Sequence, residues 1–456
     1  MAKTTGKLSA RTKIIYGIGD LGNAVVNSAI QFFLMKFYTD GALVSPALAG
    51  NALLLGKLWD AVNDPLFGWI TDKTHSRFGK RRVFMLFGAL PLAIAVALLW
   101  AVPTQDRIWT FVWIALTFIF FDTVWTLTNV PYYALTSELT DDYDERSSLT
   151  TYRMVMAVPA YLVGAALTPA IVGLFAMQRT GYAFIGIAYG IFAGVALLIS
   201  AAGLRERTGL AVAQPEPSPF KSLFLALKNR PFVLLCVLYF VINISFAFVK
   251  TLMAYYIEYQ LLMKAQTSAV MGLMLICVTL SLPFWRWVSG KIDKGPAYAL
   301  GMLVGGVAII LTFFLPHQTT IFIYPIAMLA GFGFASQWIF PWAMVADVAD
   351  YDRAETGQQR SGMYYGIWGL ATKISEALAL AGVGWILSGF GYVPNVEQTP
   401  QALLGIRLFF ALIPAAIIFI ALPLLFKYPI TRKSHALVRA QLEAMDSAAA
   451  ERAGVD

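Results

Sequence analysis

A chain of 456 residues that is 58% hydrophobic and only 13% charged, with a mean hydropathy of +0.66, excludes an ordinary soluble domain, in which about a quarter of residues are charged. The formal net charge of +8 does not indicate nucleic acid, because the basic residues lie mostly between apolar segments, where they mark a cytoplasmic membrane face. Cys236 and Cys277 both fall inside apolar segments, so neither a disulfide framework nor a Cys-rich metal site is expected.

The N-terminal stretch Met1–Lys7 enters a full-length apolar segment with no small-residue cleavage site before it, so no removable signal peptide is expected. Twelve segments are long enough to span a hydrocarbon core of roughly 30 Å: 13–38, 46–71, 83–102, 108–137, 147–173, 181–203, 231–257, 268–290, 297–315, 320–346, 362–389 and 402–427. The expected class is an all-α membrane protein of twelve transmembrane helices in two six-helix bundles. The first bundle takes residues 1–203 and the second 231–427, with a cytoplasmic central loop at 204–230 and a cytoplasmic tail at 428–456. Lys73, Arg77, Lys80, Arg81 and Arg82 share one predicted face with Lys3, Lys7, Arg11, Lys13 and the tail's Lys427, Arg432, Lys433 and Arg439. The positive-inside rule therefore puts both termini in the cytoplasm. The stretch 434–456 reads as a surface helix or a partly disordered tail.

Within the second span, Trp59-Asp60-Ala61-Val62-Asn63-Asp64-Pro65 places two carboxylates at i, i+4, on one helix face and about 6 Å apart along the axis. An ionised Asp in a membrane interior costs roughly 2.5–3.5 kcal/mol, and two so close disfavour each other's charge. A bound cation or proton relieves both, so this segment is the candidate seat of a driving ion. Lys57 lies one turn before Asp60, Asn63 adds an oxygen, and span four supplies Asp122, Trp125, Thr126, Thr128 and Asn129. A hard cation such as Na⁺ suits such oxygen donors. The competing reading is a structural ion pair of the two carboxylates with Lys57 and Lys373.

Gly68-Trp69-Ile70-Thr71-Asp72-Lys73 followed by Arg77-Phe78-Gly79-Lys80-Arg81-Arg82 reads as a cytoplasmic gate, with Gly68 for close helix approach and Asp72, Arg77, Gly79 and Arg81 as its latch. A shorter echo, Gly290-Lys291-Ile292-Asp293-Lys294-Gly295, follows span eight. Pro131-Tyr132-Tyr133 running into Asp142–Arg146 is echoed by Pro341-Trp342 running into Asp350–Arg353. Such echoes imply a parallel repeat, and the gate pattern resembles the cytoplasmic signature of the major facilitator superfamily. Asp20, among Gly17, Gly19 and Gly22, faces either solute or a helix interface. Trp338 is either a packing residue or a ligand. Lys373 and Glu376 are candidates to pair on their own helix. Lys250 and Arg407 are read as snorkelling and assigned no role. His75, His317 and His435 form no metal constellation.

The Trp59–Pro65 sequence resembles the second-helix signature of the glycoside–pentoside–hexuronide:cation symporters, typified by the melibiose carrier. Tyr16-Gly17-Ile18-Gly19, Tyr152-Arg153, Met344–Tyr351, Lys373 and Tyr392-Val393-Pro394-Asn395-Val396-Glu397-Gln398 extend the resemblance over most of the chain. It implies a cation site at Asp60, Asn63, Asp64 and Thr126, with Na⁺ at Asp60 and Asp64, or H⁺ or Li⁺ on the same carboxylates, and Lys373 as coupling counter-charge. The family's two acidic sugar ligands fall here on Ala24 and Asn129, which argues against melibiose itself. Asp20, Asn23, Asn27, Asn129, Tyr133, Arg153 and Trp338 remain the expected solute contacts. The implied function is uptake of a small sugar-like solute (glycoside, pentoside or uronate) with an inward cation, by a monomer in the bacterial inner membrane. Its partners are the solute, the coupling ion and lipid, with no cofactor, no nucleic acid and no enzymatic step. The alternative is a Na⁺-dependent lysophospholipid carrier on the same fold.

Overall fold

The computed structural model describes residues 8–74, 76–104, 106–140, 143–204, 206, 225–358 and 360–453. Among these residues the chain is helical, without strands. The helices are α1 (Ala10–Lys36), α2 (Pro46–Lys73), α3 (Arg82–Leu99), α4 (Arg107–Leu139), α5 (Tyr143–Val172), α6 (Gln178–Gly203), α7 (Arg230–Tyr255), α8 (Thr267–Ser289), α9 (Lys294–Phe313), α10 (Ile323–Thr356), α11 (Ser361–Gly389), α12 (Pro400–Phe426) and α13 (Arg432–Ala453).

Local chemistry starts several of them. Side-chain oxygens of Ser9, Ser45, Asp106, Asn229 and Thr399 accept from the first free backbone N–H groups of α1, α2, α4, α7 and α12. Pro sits in the first turn of α2, α7 and α12, where its missing N–H removes no helical bond. Short π turns continue α1 at Phe37–Gly41 and α7 at Tyr256–Gln260, and a third interrupts α12 at Leu408–Leu412.

Among the described residues, ten helices, α3 to α12, are long and apolar enough to cross a membrane. The 27-residue α1 and 28-residue α2 match them in length but carry Asp20, Lys57, Asp60 and Asp64 through their middles. Span ten runs on to Thr356, about three turns beyond the sequence expectation, because its polar end is packed against α13. The tail is a helix whose Val438 and Leu442 cover Ala354.

The packing repeats itself. α1 packs on α5 and α6, α3 on α4 and α6, and α2 on α4. Six helices further on, α7 packs on α11 and α12, α9 on α10 and α12, and α8 on α10. Each contact in the first group thus has its counterpart in the second, as a parallel repeat requires. The groups meet through α2–α11, α5–α8 and α1–α7, a set unchanged when the two halves are exchanged. Small residues permit close approach: a Cβ on Gly333 of α10 would lie 2.2 Å from the backbone nitrogen of Gly305 in α9.

Candidate cation and solute sites

The two halves are closed at one face and separate at the other. At the closed face a Cβ on Gly384 of α11 would lie 2.4 Å from the Pro46 carbonyl oxygen of α2, and Ser388 Oγ accepts from the Ala47 N–H at 2.9 Å. The Lys36 ammonium is buried there between Asp40 at 2.7 Å and Glu258 at 2.8 Å. Tyr259 donates to Asp40 at 2.6 Å, Tyr392 donates to the same carboxylate, and Asn395 donates to the Asp40 carbonyl at 2.7 Å. A hydroxyl contact of 2.7 Å joins Thr39 to Tyr255. Toward the opposite face, which carries the loop between α2 and α3, a Cβ on Gly68, Gly366 or Gly369 would meet nothing within 4 Å. Among the described residues, then, Gly68 makes no close helix approach in this structure.

Between these faces, α11 delivers Lys373 to the acidic pair on α2. Its ammonium donates to Asp60 Oδ1 and to Asp64 Oδ2, both at 2.5 Å. Lys57 lies 3.6 Å from the other Asp60 oxygen. Thr126 of α4 donates to Asp64 at 2.9 Å. The side chain of Asp60 is 5% exposed and that of Asp64 is 43% exposed, so Asp64 is the more accessible member of the pair. Asn63, fully buried, gives its amide N–H to Asp122 Oδ2 at 3.2 Å and to the Asp122 carbonyl at 3.1 Å. Its Oδ1 has no hydrogen-bond partner, leaving a buried oxygen donor beside the carboxylates. The four residues expected to hold a cation are thus brought together. Two carboxylates, an amide oxygen and a hydroxyl make a donor set suited to a hard monovalent ion. Among the described residues no group of three or more His, Cys, Asp or Glu side chains is arranged to hold a metal.

The expected solute residues divide between two places. Asp20 of α1 lies 3.5 Å from Arg153 of α5 and accepts from Tyr133 of α4 at 3.2 Å. The Arg153 guanidinium covers the Tyr133 ring at 4.9 Å, and its buried Nε is the atom that faces Asp20 across 3.5 Å, an ion pair without a hydrogen bond. Asn23 donates to Asn129 at 2.5 Å. Trp338 stands apart, 40% exposed, with Tyr161 edge-on to it at 5.2 Å. Asn27 is exposed and accepts from Gln31 at 3.1 Å.

Lys250 does not snorkel. It is buried, donates to Gln31 at 3.0 Å and lies 3.7 Å from Glu376, so Glu376 pairs across helices and leaves Lys373 to the aspartates. Arg407 likewise turns inward, donating to the Phe313 carbonyl and covering that ring at 4.5 Å.

At the opposite face, Arg81 donates to Glu138 at 3.0 Å and to Thr71 at 2.8 Å. Arg77 is exposed and stacks on Phe78 at 4.8 Å. The side chain of Asp72 and residues 207–224 of the central loop lie outside the described residues. The sequence reading missed Glu206, whose carboxylate accepts from the backbone N–H groups of Lys80, Arg81 and Arg82 at 2.5, 2.8 and 2.6 Å. Gly79 has φ +106°, and a Cβ there would strike this carboxylate, so its role is to let the anion reach the start of α3.

The family described as MFS/sugar transport protein matches residues 15–432. The chain is 29% identical to the glucuronide carrier protein homolog of Escherichia coli, over 94% of each chain. It is 26% identical to the sodium-dependent lysophosphatidylcholine symporter 1-A of Danio rerio, over 96% of this chain and 88% of that one. A solved proton-dependent oligopeptide transporter shares the fold, with a TM-score of 0.62 at 17% identity, covering 92% of this chain and all of that one. The chain belongs to the MFS/sugar transport protein family, whose members are membrane transporters and not enzymes.

Proposed function

We propose that the protein is a symporter that couples inward movement of a monovalent cation, Na⁺ or else H⁺, to uptake of a small sugar-like solute. A glycoside, pentoside or uronate would bind at the midplane between bundles 1–203 and 231–427. In this reading α1 and α2 complete a set of twelve spans, and the basic loop between α2 and α3 faces the cytoplasm of a bacterial inner membrane, with both termini on the same side. The structure is then the inward-open state.

The observation that carries the proposal is the Lys373 ammonium seated on both Asp60 and Asp64. An ammonium and a small cation compete for the same oxygens. In the inward-open state Lys373 replaces the departing ion, so the carboxylates are not left bare while the carrier returns. From outside, an arriving cation displaces Lys373 and recruits the free Asn63 oxygen. The released side chain then leaves the acidic pair on α2, which ties ion occupancy to the α2–α11 contact that closes the outer face. Each charge moved through the field contributes about 2.3 kcal/mol per 100 mV. Arg153, ion-paired with Asp20 but with no hydrogen bond at Nε, the exposed Asn27 and the open face of Trp338 supply the donors and aromatic surface that sugar hydroxyls and sugar faces require.

The likeness to a lysophosphatidylcholine symporter supports a second reading, in which the solute is an amphiphile. Vesicles reconstituted with the purified protein separate the two. With an inward Na⁺ gradient, labelled glycosides or uronates accumulate and lysophosphatidylcholine does not. Accumulation of lysophosphatidylcholine alone would replace the sugar reading. No gradient-driven accumulation of either would overturn symport.

A further inference from the structure

We infer that the cavity contains a second sugar-binding subsite, built around Lys250, Glu376 and Gln31, and that the transported solute is an elongated glycoside of at least two rings. The inference rests on the sugar reading of the cavity and names the size class of its solute.

Three helices supply the hydrogen-bonded core of this subsite, α11 adds Glu376, and α10 adds an aromatic face. Gln31 of α1 accepts from the Tyr161 hydroxyl of α5 at 2.7 Å and from the Lys250 ammonium of α7 at 3.0 Å. Both lone pairs of its amide oxygen are thereby used, which fixes its orientation. Its amide nitrogen donates to Asn27 at 3.1 Å. Lys250 stays 3.7 Å from Glu376 of α11, beyond hydrogen-bond reach, and rests 5.1 Å from the Phe246 ring. A buried ammonium and a partly exposed carboxylate that are paired without a hydrogen bond keep donor and acceptor capacity for a third group between them. A sugar ring offers neighbouring hydroxyls that accept from one and donate to the other. Trp338, held edge-on by Tyr161, presents an exposed aromatic face beside them, a surface for the apolar side of such a ring.

The spacing along α1 sets the length. Asp20, Asn23, Asn27 and Gln31 recur at intervals of three, four and four residues, which is one stripe of a helix. From Asp20, beside Arg153, to Gln31, beside Lys250, the stripe rises about 16 Å. No single six-membered ring reaches both ends. A solute of one ring leaves either Arg153 or the Lys250–Glu376 pair unused, and the first end is as loosely closed as the second, with Arg153 Nε 3.5 Å from Asp20 and in no hydrogen bond.

The test is binding to the full-length protein in detergent with NaCl. The single-ring probes are methyl glucoside, methyl galactoside and methyl glucuronoside. The two-ring probes are cellobiose, lactose and a glucuronic acid-containing disaccharide. The best two-ring probe is expected to bind about tenfold or more tighter than the best single ring, the factor one charge-assisted hydrogen bond carries. In the double variant Lys250→Met with Glu376→Gln, which removes both charges together, that ratio falls to about one. Stabilisation by NaCl reports that the variant is folded; if it is lost, Asn27→Ala, at an exposed position, replaces the double variant in the same ratio. Equal affinity for one and two rings in the wild type, or a ratio unchanged in the variant, overturns the second subsite while leaving sugar transport intact. Binding of no sugar of either length overturns the sugar reading and the subsite with it.

Discussion

Replacing Lys373 with Met removes the ammonium while keeping the length of the side chain. In the wild type an entering cation must displace two charge-assisted hydrogen bonds of 2.5 Å. The bond to Asp60, whose side chain is 5% exposed, belongs to the class contributing about 1.5–3 kcal/mol. The bond to Asp64, 43% exposed, is screened to less than about 1 kcal/mol. Removing the competitor thus tightens cation binding by about 2–3 kcal/mol, or about 30- to 150-fold in Kd. The same change leaves the buried Asp60 with only Lys57 at 3.6 Å, so the ion-free variant melts below the wild type. Saturating NaCl then recovers more stability than it does in the wild type, about 2.7 kcal/mol once the ion reaches a hundred times its Kd. Thermal melts over a NaCl series, with choline chloride holding ionic strength constant, measure both effects. A Na⁺ Kd that is unchanged or weaker in Lys373→Met would refute competition between the ammonium and the ion.

Two further perturbations address the closed face and the solute. Lys36→Met strips a buried cation from Asp40 and Glu258, a loss of about 3–5 kcal/mol for a buried ion pair, and should favour opening of that face. Labelling of Ser388→Cys by a membrane-impermeant maleimide should then increase, and unchanged labelling would show that this cluster does not hold the face shut. Asn129→Asp places an acid beside Asn23 and should change which solutes bind more than it changes the NaCl response; a shift in the NaCl response alone would mean that the two sites are not separate.

Much of the framework was legible because its causes are local. The caps at Ser9, Ser45, Asp106, Asn229 and Thr399, and the prolines beside three of them, are short-range chemistry visible in the chain. The i, i+4 spacing of Asp60 and Asp64 guarantees a shared face whatever surrounds the helix. The repeated loop motifs anticipated the repeated packing of helices. Contacts between distant helices were less accessible. The resemblance marked Lys373 as counter-charge to the acidic pair on α2, but nothing in the chain marked Lys250, and only packing reveals that it meets Glu376. Glu206 is an unremarkable acid in a polar loop until the three N–H groups at the start of α3 are seen to converge on it. The absence of a contact at Gly68 depends on which face of the carrier is open, and a sequence common to every state carries no record of that.

The tail helix α13 has a practical consequence. Its first residues are fastened to the loop between α8 and α9, with the Arg432 N–H donating to Asp293 at 2.7 Å and its guanidinium donating to the Gly290 carbonyl at 2.5 Å. His435 adds a contact of 3.1 Å to Asp350 at the end of α10. Anchored at two points on one half, α13 is a pointer fixed to that half and moves as it moves. A fluorophore near its C-terminal end, paired with one on the loop before α3, would turn the rocking of the carrier into a distance signal read from outside the cavity, with every ion- and solute-binding residue left in place.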